Sequence, residues 1–205
     1  MLTKMLLVRH GETIWNHTCR YQGHTDIELS ETGRKQAKLL AAELKKEKVK
    51  AVYSSDLKRA YETAAILASP HNLSVQVTKE LREINFGEWE GLTHKEIMEK
   101  YEDLAAEWYQ CPGQVRLPGG ENFEEVKERA YSTALDLLQQ NDPGTIIVVA
   151  HGGTIRTIIC GILDIELNHG FKISQDNTAL NIINYYPENG FTVLSLLNGT
   201  THLSS

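Results

Sequence analysis

Short apolar runs alternate along the chain with stretches in which apolar residues recur every three or four positions. The short runs have the length of buried strands and predict them at Met5–Arg9, Ala51–Ser54, Val75–Val77 and Thr145–Ala150. The run at Val75–Val77 is short and is expected at an edge of the sheet. Two further segments, Ala179–Tyr185 and Phe191–Leu197, flank a turn at Pro187–Gly190 and predict a C-terminal hairpin.

The longer stretches have helical spacing. They predict helices at Glu31–Lys48, Leu57–Ala68, Thr93–Tyr101, Asn122–Gln140 and Thr154–Leu163. Ser30 and Asp56 precede the first two helices and are expected to cap them. Strands that alternate with helices are typical of an α/β fold. We therefore predict a single three-layer α/β/α domain over residues 1–205, with a mostly parallel central sheet, the C-terminal hairpin and a helical insertion.

Length and composition fit one well-packed domain: the chain has 205 residues, of which 41% are hydrophobic and 23% charged. A formal net charge of −6 provides no positive field for nucleic acid or an anionic membrane, and neither is expected as a partner. No apolar run approaches the roughly 20 residues needed to span a bilayer. Cys19, Cys111 and Cys160 have no Cys-x-x-Cys spacing. A cytoplasmic location is expected.

Two predicted strands end in a histidine followed by glycine. Met5–Arg9 leads into His10 and Gly11, and Thr145–Ala150 leads into His151 and Gly152. At the carboxyl ends of parallel neighbouring strands, both imidazoles would lie in one crevice. Gly152 allows the backbone to approach a ligand closely, and the amides that follow are expected to face an oxyanion.

Arginines lie next to the same predicted crevice. Arg9 precedes His10, and Arg59 lies in the first turn of the predicted helix after the second strand. Guanidinium groups match phosphate oxygens, and the free amides at a helix N-terminus also favour anions. The same positive charges would repel a divalent cation. The pattern predicts a phosphate site, with no metal and no cofactor.

A proton donor for the leaving group is expected in the acidic segment Leu81–Gly91. This segment contains Glu83, Glu88 and Glu90. Their spacing does not distinguish among them.

Several segments resemble the histidine phosphatase superfamily, the phosphoglycerate-mutase-like group. The resemblance is carried by Leu7–Asn16, Gln22-Gly23, Leu29–Gly33, Ser54–Ala60 and Ala150–Gly152, which follow one another in the family's order over essentially the whole chain. It implies that His10 is phosphorylated during the reaction and that Glu83 is the proton donor. It also implies that the phosphate is held by Arg9, Arg59, His151, Asn16 and the backbone of Gln22 and Gly23.

Three activities fit this resemblance. They are hydrolysis of a small phosphomonoester, bisphosphate-dependent phosphoglycerate mutation, and binding of phosphorylated ligands by an inactive relative. The complete set of core residues argues against the inactive relative. The mutases follow the acid with Arg-His-Tyr-Gly, whereas this chain has Ile84–Gly87, and Arg116 is a lone candidate for a second anionic group. A phosphatase is therefore expected.

Among the phosphatases, Phe86–Gly91 and Leu117–Glu121 are most similar to the α-ribazole phosphatases of cobalamin assembly. Broad-specificity phosphatases share much of this pattern. The resemblance therefore leaves two alternatives for the small-molecule substrate: α-ribazole 5′-phosphate, or a range of phosphomonoesters. The aromatic residues expected near the mouth of the site are Trp15, Tyr21, Phe86, Trp89, Trp108 and Tyr109. The sequence leaves open whether the protein is a monomer or a homodimer.

Overall fold

The computed structural model describes residues 2–204, which form a six-stranded sheet between two layers of helices. The strands are β1 (Thr3–Arg9), β2 (Val49–Ser55), β3 (Val75–Thr78), β4 (Gly144–Ala150), β5 (Leu180–Tyr186) and β6 (Phe191–Gly199). Their order is β3-β2-β4-β1-β5-β6. The first four strands are parallel, whereas the hairpin of β5 and β6 continues the sheet in antiparallel fashion. This confirms the predicted fold class.

Seven α-helices accompany these strands in the described part of the chain. They are α1 (Ile14–His17), α2 (Glu31–Leu44), α3 (Lys58–Ala68), α4 (His94–Lys100), α5 (Glu102–Gln110), α6 (Phe123–Gln140) and α7 (Gly152–Leu163). Successive residues of β1 pack on opposite faces of the sheet, as the two-residue period requires. Leu6 and Val8 of β1 pack with α2 and α3, whereas Met5 and Leu7 pack with α6 and α7.

The predicted start of α3 was wrong in one respect. Asp56 does not cap this helix, because its carboxylate accepts two hydrogen bonds from Arg82, at 2.7 and 2.6 Å. Helix α3 begins at Lys58, whose backbone N–H donates to Oδ1 of Asp26 at 2.8 Å. A residue distant in sequence thus supplies the cap. Ser30 caps α2 as predicted, with Gly33 N donating to its Oγ at 3.0 Å.

Two helices were not predicted, and α2 is shorter than expected. Helix α2 ends at Leu44 rather than at Lys48. Helix α1 is a single turn, too short to show periodicity, and its N-cap Thr13 forms a capping box with Asn16. Helix α5 follows α4 directly and buries Ala105 and Trp108. Helices α4 and α5 lie in the insertion between β3 and α6.

Candidate active site

A cavity of about 320 Å³ opens where β1 and β4 end. Its lining combines cationic and polar side chains with aromatic ones. It includes Arg9, His10, Asn16, Arg20, Tyr21, Gln22, Glu83, Phe86, Trp108, Tyr109, Phe123, Gly152, Gly153, Arg156 and Phe171. Of the residues predicted for the site, Arg59, His151 and Gly23 do not line this cavity. Arg59 and His151 are fully buried beside it.

The two histidines lie next to each other because their strands are parallel neighbours. Arg9 pairs with Ala150 in the register of β1 and β4, so the residue after each strand is a histidine at the same height. The ring centroids of His10 and His151 are 5.1 Å apart. The two imidazoles are therefore neighbours as predicted, but only His10 lines the cavity, and His151 is buried beside it.

The tautomer of His10 follows from its hydrogen bond. Its Nδ1 lies 2.7 Å from the carbonyl oxygen of Gly11. Because a carbonyl oxygen can only accept, Nδ1 carries the hydrogen and the lone pair of the neutral ring is at Nε2. His10 is 2% exposed and lines the cavity, so that lone pair is available to a ligand.

Buried nitrogen atoms without partners surround His10. Seven buried side-chain nitrogens in residues 2–204 have no hydrogen-bond partner, and four of them belong to the predicted phosphate site: Nε of Arg9, Nε of Arg59, and both ring nitrogens of His151. Buried polar groups are nearly always satisfied, so a group of unsatisfied donors in one place indicates a ligand. The donors are cationic or can become so, which favours an anion.

The two guanidinium groups are held by backbone carbonyls rather than by carboxylates. Nη2 of Arg59 donates to Gly23 O at 2.7 Å and Nη1 donates to Thr25 O at 3.1 Å. Arg9 donates to Gln175 O. The Gly23 carbonyl therefore orients Arg59, and Gly23 does not itself line the cavity.

Burial disfavours the charged forms of these residues. It lowers the pKa of Arg9 to about 10 and that of Arg59 to about 10, so both remain protonated at pH 7. Burial, followed by the charges of Arg59 and Arg9, lowers the pKa of His10 well below its usual value. Burial, followed by the charge of Arg59, also lowers the pKa of His151 well below its usual value. These pKa directions favour the neutral form of both imidazoles near pH 7 in the absence of a bound anion.

Of the three glutamates that the sequence could not distinguish, only Glu83 lines the cavity. The carboxylate of Glu90 accepts hydrogen bonds from the backbone N–H groups of His24 and Thr25, each at 2.7 Å. The carboxylate of Glu88 accepts from the hydroxyl of Tyr101 on the surface. Tertiary contacts thus separate glutamates that are two and five residues apart.

The N-terminus of α7 holds Glu83 rather than a ligand. Gly153 N donates to Oε2 at 3.0 Å, and Thr154 N donates to Oε1 at 3.0 Å. The amides expected to face an oxyanion are therefore used by this carboxylate, with the exception of Gly152 N at the cavity wall. Arg129 holds the backbone of the same segment, since it donates to Arg82 O at 2.8 Å and to Glu83 O at 3.1 Å.

Asn16 and Gln22 both have their oxygen atoms occupied. Oδ1 of Asn16 accepts from the backbone N–H of Thr13 at 3.0 Å, and Oε1 of Gln22 accepts from the Thr13 hydroxyl at 3.0 Å. Their amide nitrogens are thereby left as donors, and both residues line the cavity. The side chain of Gln22 can therefore donate to a ligand in the cavity, whereas the resemblance assigned only the backbone of this residue to the phosphate.

Aromatic rings form the outer wall of the cavity. Tyr21, Phe86, Trp108 and Tyr109 line it as the sequence suggested, but Trp89 is fully buried in the core. Trp15 packs against Gly91 outside the cavity. Phe123 and Phe171 also line the cavity and were not predicted. Phe123 follows the Leu117–Glu121 segment by two residues, and Phe171 lies in the segment between α7 and β5.

Arg156 is a further residue of the cavity that the motifs did not identify. It lies on α7 one turn after Gly152, on the same helix face, and this i, i+4 spacing is the signal that could have found it. By contrast, Arg116 lies outside the cavity, with its side chain 61% exposed and paired with Glu125.

Among residues 2–204, no group of three or more His, Cys, Asp or Glu side chains is arranged to hold a metal ion. None of the helices in this range is long and apolar enough to cross a membrane. The three cysteines are free thiols.

Comparison with known families and proteins gives concordant matches over nearly the whole chain. A family model described as histidine phosphatase superfamily (branch 1) matches residues 5–198. Phosphoserine phosphatase 1 of Hydrogenobacter thermophilus is 38% identical over 202 residues, which cover 98% of this chain and 95% of that protein.

Solved structures have the same fold. The Entamoeba histolytica phosphoserine phosphatase in complex with 3-phosphoglyceric acid superimposes with a TM-score of 0.86 at 33% identity, covering 98% of this chain and 99% of that one. A putative α-ribazole-5′-P phosphatase of Escherichia coli K-12 has a TM-score of 0.87 at 27% identity, with 97% of each chain covered.

Proposed function

Because the chain belongs to the histidine phosphatase superfamily, branch 1, and is a phosphomonoester hydrolase of that type, we propose that it acts through a phosphohistidine at His10. Neutral imidazole is a good nucleophile near neutral pH. The hydrogen bond from Nδ1 to Gly11 O places the lone pair at Nε2, and the lowered pKa of the ring keeps it unprotonated. These two features support His10 as the residue that attacks phosphorus.

In the first step, Nε2 of His10 attacks phosphorus and the bond from phosphorus to the ester oxygen breaks. The departing alkoxide takes a proton from Glu83, whose carboxyl group lines the same cavity. Arg9 and Arg59 stabilise the negative charge on the phosphoryl oxygens, since each has an unpartnered Nε and remains protonated at pH 7. His151 donates a further hydrogen bond, and a bound dianion favours its protonated form.

In the second step, water replaces the alcohol and attacks the phosphohistidine. The carboxylate of Glu83 accepts a proton from this water, and the bond between phosphorus and Nε2 breaks. Inorganic phosphate leaves, and His10 and Glu83 return to their initial states. Asn16, Gln22 and Gly152 bind the phosphoryl group through N–H donors, whereas Gly23 acts through Arg59.

The observation that carries this proposal is the group of four unpartnered buried nitrogens of Arg9, Arg59 and His151 beside the lone pair of His10. The test is to mix enzyme and substrate, quench rapidly in alkali, and locate the phosphate by mass spectrometry. We expect an acid-labile, alkali-stable phosphoryl group on His10. His10→Ala should lose activity by on the order of 10⁴-fold or more while remaining folded. Phosphate on another residue would disprove the proposal.

The substrate is a small phosphomonoester. Phosphoserine is one candidate substrate, because phosphoserine phosphatase 1 of Hydrogenobacter thermophilus is 38% identical to this chain. α-Ribazole 5′-phosphate is a second candidate, because the putative α-ribazole-5′-P phosphatase of Escherichia coli has the same fold at 27% identity. The aromatic outer wall of Phe86, Trp108 and Tyr109 offers apolar contact to the alcohol part of either compound. Rates on a panel that contains both esters will separate the two.

We also propose that the reaction needs no metal and takes place in the cytoplasm. The charges of Arg9 and Arg59 beside His10 oppose a divalent cation at this position. Three free cysteines are compatible with a reducing compartment.

A further inference from the structure

Arg156 is a guanidinium group that forms no ion pair within residues 2–204. Its Nε donates to Ile173 O at 2.8 Å, and neither Nη atom has a hydrogen-bond partner in the part of the chain that the structure describes. No carboxylate of residues 2–204 lies within 4.0 Å of it, in contrast to Arg20, the other outer arginine of the cavity, which pairs with Glu96 at 3.3 Å. Because Nε donates to Ile173 O and Arg156 lines the cavity, the two Nη atoms are the free end of its guanidinium group.

The open end of Arg156 lies close to the phosphate site. A carbon atom built on Gly152 would lie 3.4 Å from Nη1 of Arg156 and 3.5 Å from Nε of Arg9. The missing side chain of Gly152 therefore leaves a space between the two guanidinium groups. Burial lowers the pKa of Arg156, and the charges of Glu83 and Asp176 raise it.

We propose that Arg156 binds a carboxylate on the alcohol part of the substrate, so that the enzyme prefers phosphate esters of small hydroxy acids. The phosphoryl group is bound at His10 and Arg9, and the carboxylate lies across Gly152 against the two Nη atoms. This inference rests on the proposed function, since it assigns the second anionic group of a substrate that is attacked by His10.

A carboxylate suits this position better than a second phosphate. Two parallel N–H donors match the two oxygens of a planar carboxylate, and one positive charge balances its single negative charge. A phosphate dianion would need a second cation, but Arg20 is engaged by Glu96 and by Gly91 O at 2.6 Å. Arg116 lies outside the cavity.

The test uses pairs of esters that differ in the carboxylate. O-phospho-L-serine is compared with O-phosphoethanolamine, and 3-phosphoglycerate with glycerol 3-phosphate. We expect wild-type kcat/KM to be higher for the carboxylate member of at least one pair. Arg156→Gln should reduce kcat/KM for that ester by about 10- to 100-fold, the loss expected for a charge-assisted bidentate contact. Its partner without the carboxylate should be hydrolysed at the wild-type rate, which also shows that the variant is folded.

Two variants sharpen the result. Arg156→Lys retains the charge without the fork and should recover part of the preference. Arg20→Gln, which removes the paired arginine of the same cavity, should leave the preference unchanged. If Arg156→Gln lost kcat/KM equally on both members of a pair, Arg156 would bind the phosphoryl group and not the carboxylate. If kcat/KM did not change on either member, Arg156 would bind neither group. Either result would overturn this inference without contradicting the proposed function. If no ester is hydrolysed and His10 is not phosphorylated, the proposed function fails as well.

Discussion

Glu83 accepts a hydrogen bond at Oε2 from the backbone N–H of Gly153, at 3.0 Å. The same glycine has no room for a side chain, since an added Cβ would lie 2.6 Å from Oε1 of Glu83. The proposed acid of the reaction is thus held in place by the first turn of the helix that follows His151. The two groups are 70 residues apart in sequence.

Gly153→Ala should therefore impair catalysis in the same way as Glu83→Gln. The methyl group displaces the carboxylate, so protonation of the leaving oxygen is lost. We expect Glu83→Gln to slow esters with poor alkoxide leaving groups by on the order of 10²–10⁴-fold, and Gly153→Ala to cause a smaller loss of the same kind. Rates on p-nitrophenyl phosphate should fall less, because that leaving group needs little protonation.

The matched control for this comparison is Gly170→Ala, whose Cβ would make only ordinary contacts at 3.8 Å or more. It should retain wild-type rates on both kinds of ester. Equal losses of Gly153→Ala or Glu83→Gln on alkyl and p-nitrophenyl esters would argue that Glu83 has a structural role.

The buried histidines should make the protein less stable in mild acid. The pKa values of His10 and His151 are lowered well below 6.5 in the folded state. As the pH falls below 6.5, the unfolded chain takes up protons that the folded chain does not, so the free energy of unfolding decreases. The slope of the free energy of unfolding against pH has an upper limit of about 1.4 kcal/mol per pH unit for each histidine.

Urea denaturation of the ligand-free protein at pH 7.5, 6.5 and 5.5 measures this slope. His10→Gln and His151→Gln should each have a shallower dependence than the wild type between pH 6.5 and 5.5, whatever their stability at pH 7.5. Parallel curves for wild type and both variants would show that these rings titrate normally in the folded state.

Removal of metal ions should leave the reaction intact. In the proposed mechanism, the positive charges of Arg9 and Arg59 stabilise the phosphoryl oxygens. A divalent cation does this in metal-dependent phosphatases. We expect dialysis against EDTA to change kcat/KM very little. Vanadate, which mimics five-coordinate phosphorus, should inhibit in competition with the substrate. Activity lost on chelation and restored by Mg²⁺ or Zn²⁺ would contradict this prediction.

Water, and not a second hydroxyl group of the substrate, should accept the phosphoryl group. A mutase has to retain a bisphosphate intermediate, which requires cations for its distal phosphate. Arg116 does not line the cavity and Arg20 is paired with Glu96. Beyond the phosphate site, Arg156 is therefore the one arginine of the cavity lining that forms no ion pair within residues 2–204. Each missing charge-assisted contact weakens binding of the intermediate by about 1.5–3 kcal/mol.

The measurement supplies 3-phosphoglycerate with catalytic 2,3-bisphosphoglycerate and follows 2-phosphoglycerate and free phosphate together. Phosphate release should exceed isomerisation. If interconversion of the two phosphoglycerates far outran phosphate release, the chain would be a mutase.

The sequence by itself determined the layers of the fold and the meeting of the two histidines. Short apolar runs and helical spacing are local patterns, so β1, β4 and α6 could be predicted from neighbouring residues. The position of His10 and His151 at one crevice follows from the strand ends once the strands are parallel. The family resemblance supplied Glu83, which spacing could not separate from Glu88 and Glu90.

Only the tertiary structure decided which polar groups are partners. Asp56 binds Arg82 and leaves the cap of α3 to Asp26, and Glu83 occupies amides of α7 that were expected to face a ligand. In the same way, Arg156 is left unpaired while Arg20 is not. The physical reason is that hydrogen bonds and ion pairs act over a few ångströms in space, whereas periodicity in sequence records only the direction in which a side chain points.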